Sequence, residues 1–324
     1  MDPNRHCCLD HCHLPCSYRS SLYSKLTDLA RFMDVNDSCI IACKLTKEEI
    51  KMTSQKYFDI VDQHFKPTDN LQSFAYTNTI LNLLPTISRP VLHFWTLENT
   101  VILGLKDQRL PHLDSALQLI HSKNYHYFVR NSGGLAVISD AGVLNVSLFL
   151  PNGSDELSVD QGYQQMTDLI QSSFPTLNIE AREIPHSYCP GKFDLAVNGV
   201  KIGGMSQRRN QTGVVIMLYI SVNGPQISRS SLIRDFYLKG LSNEKNTWNF
   251  PDVWPSSMTT ISELSNDLIT VETVKKIISK QLSSMSGRRM ITFNFNKTNN
   301  SFKDALNDQI HKMQIRQQKL TTFN

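Results

Sequence analysis

Two spacings of apolar residues alternate along this chain. Phe74, Ala75, Leu81 and Leu84 recur at helical intervals and predict a helix from Gln72 to Leu84, ended by Pro85. Val91 to Trp95 and Val101 to Leu105 are short β-prone runs, and His112 to His121 sets Leu113, Ala116, Leu117 and Ile120 on one helical face. Strands are predicted at Tyr125 to Arg130, Ala136 to Ser139, Leu144 to Leu150, Asn178 to Arg182, Asp194 to Val197, Val200 to Gly204 and Val214 to Val222. Further helices are predicted at Asp160 to Ser172, Leu232 to Leu241, Val271 to Met285 and Phe302 to Lys319. Successive strands joined by tight turns pair antiparallel, so the pattern predicts an α/β chain of the α+β type. Its sheet should be mixed, largely antiparallel and flanked by helices rather than doubly wound.

The sharpest local signal is Asn198-Gly199, a dipeptide that favours a two-residue type I′ turn. That turn pairs Val197 with Val200, Ala196 with Lys201 and Leu195 with Ile202. One face then carries Leu195, Val197, Val200 and Ile202, and the other carries Asp194, Ala196, Lys201 and Gly203. On spacing alone Lys201 reads as an ordinary solvent-facing lysine, with small residues beside it.

The 324 residues suffice for one large domain or two ordinary ones, and 40% apolar residues can form a real core. The longest unbroken apolar run, Val214 to Ile220, is far short of the roughly 20 residues that a bilayer requires. The first residues lack a basic stretch followed by an apolar one, so the chain is expected in the cytoplasm. Six of the seven cysteines (Cys7, Cys8, Cys12, Cys16, Cys39 and Cys43) fall in the first 43 residues. With His6, His11 and His13 they have zinc-ligand chemistry but no paired ligand spacing. The codons of Lys47-Glu48-Glu49 can contain a bacterial ribosome-binding sequence suitably spaced before Met52, so the native protein is expected to start there. The expected organisation is an extension over 1–51, a catalytic domain over 52–270 and a basic helical segment over 271–324. From Lys275 onward ten Lys and Arg face two Asp, at the spacing of solvated helix faces, with an electrostatic guide for an acidic partner as the alternative. No zinc finger, RNA-recognition motif or aromatic-basic interleaving supports nucleic acid.

Cys189 lies in the turn-forming stretch Ser187-Tyr188-Cys189-Pro190-Gly191, where a lone thiol is either packing or a nucleophile. A free thiol is only a few per cent ionised at neutral pH, so a nucleophile needs a nearby cation. Lys201 supplies one if the loop folds back over the hairpin, and His186 is a second candidate base. Upstream, Arg130-Asn131-Ser132-Gly133-Gly134 sets a glycine pair between two strands with an arginine at its entrance. Glycines admit backbone N–H groups close to a carbonyl, carboxylate or phosphate. Gly203-Gly204-Met205-Ser206 repeats the pattern, and two such segments converging make room for an extended ligand.

Arg130 to Val137, Gly142 to Ser147, Ser187 to Gly191, Asp194-Leu195, Asn198 to Arg209 and Gly104 to Pro111 together resemble the lipoate-protein ligase and octanoyltransferase superfamily, in its amidotransferase branch. The resemblance runs from about Phe74 to Leu241 and implies a biotin/lipoate protein ligase-like catalytic domain. It further implies that Cys189 is an acyl-thioester nucleophile, with Lys201 activating it and helping to hold the acyl carbonyl. Arg130, Ser132, Gly133, Gly134, Asn145, Asp194, Gly203, Gly204 and Ser206 are the implied substrate-binding residues. The implied donor is octanoylated glycine cleavage H protein, and the acceptors are lipoyl domains of 2-oxoacid dehydrogenase E2 subunits. Neither metal nor other cofactor is implied. Val129, Leu135 and Ser139 stand where the ATP-using ligases carry arginine, glycine and histidine, which argues against adenylate binding while leaving acyl binding intact. Rival readings are an octanoyl acyl-carrier-protein transferase, an ATP-dependent ligase, a non-catalytic lipoyl-domain binder and a zinc-dependent regulator.

Overall fold

The computed structural model of the protein describes residues 56–152, 157–293 and 299–320. The cysteine-rich extension and the expected start at Met52 lie outside them. From Tyr57 the described residues belong to one compact unit. Its first half runs β1 (Tyr57–Phe65), α1 (Gln72–Ile87), β2 (Val91–Leu97), β3 (Thr100–Leu103), α2 (Leu113–Ser122), β4 (His126–Val129), β5 (Val137–Ser139), β6 (Val143–Pro151) and α3 (Val159–Ser173). It continues with β7 (Ile179–Ala181), β8 (Leu195–Val197), β9 (Val200–Asn210), β10 (Gly213–Ser221) and α4 (Gln226–Leu241), then α5 (Ile261–Ser265), α6 (Val271–Ser286), β11 (Arg289–Thr292) and α7 (Asn299–Gln317).

Eight strands form one sheet in the order β11-β1-β2-β6-β10-β9-β8-β7, and three form another in the order β4-β3-β5. In the large sheet β1 is parallel to β11 and β2, and the other pairs are antiparallel. This is the mixed, largely antiparallel α+β architecture that the periodicity predicts. Strand alternation lets the large sheet serve two cores at once. On β10, Val215, Met217 and Tyr219 join one cluster with Phe74 of α1, Ile102 of β3, Phe236 of α4 and Met313 of α7. Val214, Ile216, Leu218 and Ile220 join the other with Leu169 of α3 and Ile278 of α6. Burial on both faces explains why this strand is an unbroken apolar run.

Three local expectations are corrected. The first helix continues through Pro85 to Ile87 and ends at Ser88 in the left-handed conformation. Proline removes the N–H that would bond the Leu81 carbonyl, and Thr212 Oγ1 donates to that oxygen instead at 2.5 Å. β9 runs six residues beyond Gly204, because β10 opposite it offers a partner as far as Asn210. Asn198 and Gly199 both have positive φ, and Val197 pairs with Val200 and Ala196 with Lys201, but Leu195 pairs with Gly203 rather than Ile202. The irregularity between Leu195 and Ala196 is a β-bulge, which puts one extra residue on β9.

Two elements carry little sequence signal. β1 buries Asp59, whose carboxylate accepts two hydrogen bonds from Arg89, at 2.9 and 3.1 Å. β11 is a four-residue edge strand, Arg289-Met290-Ile291-Thr292, too short to show an alternation of its own. Among the described residues no helix is long and apolar enough to cross a membrane.

Candidate active site

The hairpin that Asn198-Gly199 closes aims Lys201 into the protein, and the side chain is fully buried. This corrects the solvent-facing reading, and the reason lies outside the hairpin: the loop 184–194 folds across that face. Lys201 Nζ donates to the carbonyls of Tyr188 at 3.0 Å and Cys189 at 2.9 Å, with Ser187 Oγ at 3.3 Å. Asp194 Oδ1 lies 3.0 Å from the same nitrogen. A buried ammonium is tolerated only when its three protons and its charge are all met. Asp194 is itself held by the amides of Gly191, at 3.1 Å, and Ile184, at 3.5 Å. Burial lifts the Asp194 carboxyl above the ordinary carboxylate range, with the Lys201 charge pulling the other way.

The loop so anchored holds Cys189 at φ +46°, in the left-handed region that costs a non-glycine residue roughly 1–2 kcal/mol. Its sulfur meets two donors from the opposite wall. The Leu135 amide points at Sγ from 3.3 Å, and Arg130 Nη2 lies 3.9 Å away. Both stabilise negative charge on sulfur. The Arg130 guanidinium also donates to the carbonyls of Gly133 and Leu135, both at 2.9 Å, so it shapes its own loop as well as facing the thiol. Gly134, at φ +95°, has no room for a side chain: a Cβ there would stand 2.5 Å from Arg130 Nη2 and 3.3 Å from Sγ.

Behind this wall lies the Gly104-to-Arg109 segment. A Cβ on Gly104 would fall 2.0 Å from the Gly134 carbonyl oxygen, so only glycine lets the two loops touch. The buried Asp107 accepts from the Gly104 amide at 2.8 Å and from Tyr237 OH at 2.9 Å. Tyr237 OH in turn accepts from the Ala136 amide at 3.0 Å, one residue beyond the amide on the sulfur. Burial raises Asp107 to a pKa of about 6 against these hydrogen bonds.

Cys189 opens onto a cavity of about 60 Å³ whose apolar wall is Phe74, Trp95, Ile102, Val137 and Met217. Arg130, Asn145, Gly204 and Ser206 also line it, so these four expected residues share one cavity with the thiol. Asn145 Nδ2 is committed to Ser139 Oγ at 2.8 Å. Asp194 contacts Lys201 and does not line the cavity. Gly133 is exposed, with nothing within 4 Å of a Cβ built on it. Ser132 is buried and its Oγ has no partner. The bulge turns Gly203 to the other face, towards Leu218, and brings Gly204 beside Lys201 Cε and the Tyr219 ring.

His186, the second candidate base, packs against the segment that carries Asp252 and Trp254. Its ring stacks on Trp254 at 3.7 Å and its Nδ1 meets the Asp252 carbonyl at 3.0 Å. Lys275, read as part of a solvated face, is largely covered and bonds Asp62 of β1 at 2.8 Å. Sequence reasoning did not find the Leu135 amide, because a backbone donor leaves no side-chain signal. It also missed Tyr219, whose one signal was a hydroxyl within the apolar run Val214 to Ile220.

The sequence model of the family described as the lipoyl protein ligase A/B catalytic domain matches residues 69–283. The octanoyl-[GcvH]:protein N-octanoyltransferase of Lysinibacillus sphaericus is 40% identical over 225 residues, 68% of this chain and 81% of that protein. The lipoyl-[GcvH]:protein N-lipoyltransferase of Listeria monocytogenes is 41% identical over 204 residues, 62% of this chain and 73% of that protein. Among solved structures, a bipartite lipoate protein ligase from Thermoplasma acidophilum superposes with a TM-score of 0.59 at 16% identity, covering 83% of this chain and 99% of that one. That likeness is one of fold.

Proposed function

The chain belongs to the lipoyl protein ligase A/B catalytic-domain family, and on that premise we propose that it is an acyltransferase of protein lipoylation. It takes the octanoyl group from the lysine amide of octanoylated glycine cleavage H protein onto Cys189. It then passes the group to the lysine of a lipoyl domain in 2-oxoacid dehydrogenase E2 subunits. It works in the cytoplasm, alongside these carriers.

The observation that carries this reading is a thiol in the lining of a largely apolar cavity, faced by the Leu135 amide and the Arg130 guanidinium. Donors on a sulfur support a thiolate nucleophile. The apolar wall suits a medium acyl chain, whose methylenes contribute roughly 5 kcal/mol on burial. One amide is exchanged for another over the cycle, so no ATP is consumed. The uphill half is amide to thioester, and it depends on donors positioned for the charge that develops. Lys201 acts by fixing the Cys189 carbonyl and loop through its ammonium. Arg130 and Gly134 shape the wall opposite the sulfur, Gly204 and Ser206 line the chain's path, and Asn145 supports the cavity through Ser139.

Mixing the purified protein with octanoylated H protein, without ATP, and weighing it intact tests this. The expected result is a hydroxylamine-labile octanoyl adduct on wild type, absent from Cys189→Ala and slowed in Lys201→Ala. No adduct from that donor would sink the assignment. Octanoyl acyl carrier protein, or octanoate with ATP, would then identify the donor that replaces it.

A further inference from the structure

Tyr219 lines the cavity beside Cys189, more than nine-tenths buried, and its hydroxyl has no hydrogen-bond partner. A buried, unpaired hydroxyl is costly, and native proteins keep few of them. Its position is built by several elements. On β10 it stands opposite Asn145 of β6 and Gly204 of β9, so it shares their cavity-facing row. The ring fits because Gly204 lacks a Cβ, which would stand 2.8 Å from Tyr219 Cε1. It stacks on Tyr188 at 5.8 Å, and Lys201 Nζ lies 5.7 Å from its centre. Since that same nitrogen holds the Cys189 carbonyl, the phenol ring and the nucleophile's loop share one neighbour, and Tyr219 and Cys189 line the same cavity.

An octanoyl chain offers no polar atom along its tail, and its carbonyl oxygen is the one acceptor it brings. Burial, reinforced by the neighbouring Tyr188, Asp194 and Cys189, keeps the Tyr219 hydroxyl protonated far above the ordinary tyrosine range, so it faces the ligand as a donor. Resting on the acyl-transfer reading, we propose that Tyr219 is a catalytic residue whose hydroxyl donates to the acyl carbonyl oxygen and to the oxyanion formed from it in both half-reactions.

In the first half, the Cys189 thiolate forms a C–S bond and the carbonyl π pair moves onto oxygen. Collapse then breaks the C–N bond, and the departing lysine amine takes a proton from water. In the second half, the acceptor's neutral amine forms the C–N bond, the C–S bond breaks, and the nitrogen gives its proton to water. Tyr219 keeps its own proton throughout and contributes a hydrogen bond that strengthens as charge builds on oxygen.

Tyr219→Phe removes the oxygen alone. Acylation of Cys189 is followed with two donors, octanoylated H protein and the activated ester p-nitrophenyl octanoate. The expected result is a fall in kcat on the order of 100-fold with KM little changed, and a melting temperature that is unchanged or higher. In the acyl-enzyme carrying a ¹³C-labelled carbonyl, the infrared stretch should move to higher frequency when the hydroxyl is removed. Equal rates and an unmoved carbonyl band would overturn the proposal. Failure of the H-protein donor on wild type would count against the amidotransferase reading, while the ester arm would still decide the role of Tyr219.

Discussion

Lys201 Nζ is hydrogen-bonded to the Cys189 carbonyl oxygen at 2.9 Å while ion-paired with Asp194 at 3.0 Å. The lysine therefore grips the nucleophile by its backbone, and the charge that makes the grip strong is balanced from behind. Lys201→Met strands a buried carboxylate, which costs on the order of 3–5 kcal/mol. Adding Asp194→Asn to that variant should recover most of the stability and none of the thioester formation. Urea denaturation midpoints and intact-mass assays on the two single variants and the double variant would check it. Recovery of activity in the double variant would show that Lys201 has no role beyond neutralising Asp194.

Gly104 and Gly133 make a contrasting pair. A methyl group on Gly104 collides with the Gly134 carbonyl, next to the amide that faces the sulfur, whereas one on Gly133 meets nothing within 4 Å. Gly104→Ala is expected to slow Cys189 acylation at least tenfold, in keeping with the sensitivity of rates to misplacement of about 1 Å. Gly133→Ala should stay close to wild type, and single-turnover rates would separate the two.

His93 is expected to weaken the fold as pH falls. It is fully buried on β2, neither ring nitrogen has a partner, and burial lowers its pKa from 6.5 to about 3. The unfolded chain takes up the proton first as pH falls. Stability is therefore fully present above about 6.5 and lost down to about 3, by an amount on the order of 5 kcal/mol. His93→Leu should flatten that decline in urea titrations between pH 7 and pH 4. An equally steep decline in the variant would assign it to other groups.

Asp107 works in the opposite sense. Its folded pKa of about 6 lies above the ordinary 3.8, so the folded state holds the proton more tightly. Its contribution is present below about 3.8 and lost as pH rises through about 6, by roughly 3 kcal/mol. Relative to wild type, Asp107→Asn should therefore gain stability as pH rises from 4 to 6. A stability difference independent of pH would refute this.

By itself the sequence determined what neighbouring residues enforce. The turn at Asn198-Gly199 was legible because only residues tolerant of positive φ suit a type I′ turn, and the pairing of Ala196 with Lys201 followed from it. Periodicity likewise placed α2 and α3 to within a residue or two, since each buries one face. The resemblance carried by scattered motifs brought Cys189, Arg130 and Gly204 together before any distance was known. What tertiary structure alone decided lay between segments distant in the chain. β1 was missed because its buried Asp59 looks like a surface residue until Arg89, thirty residues on, is seen to pair with it. The β-bulge at Leu195 exchanged Gly203 for Gly204 at the site, a shift of one residue that leaves no mark in composition. Lys201 became a buried hub, Leu135 a donor to sulfur and Tyr219 an unpaired hydroxyl through loops closing from elsewhere in the chain. Burial and hydrogen bonding depend on what covers a group, and that cover is fixed only when the whole chain has folded.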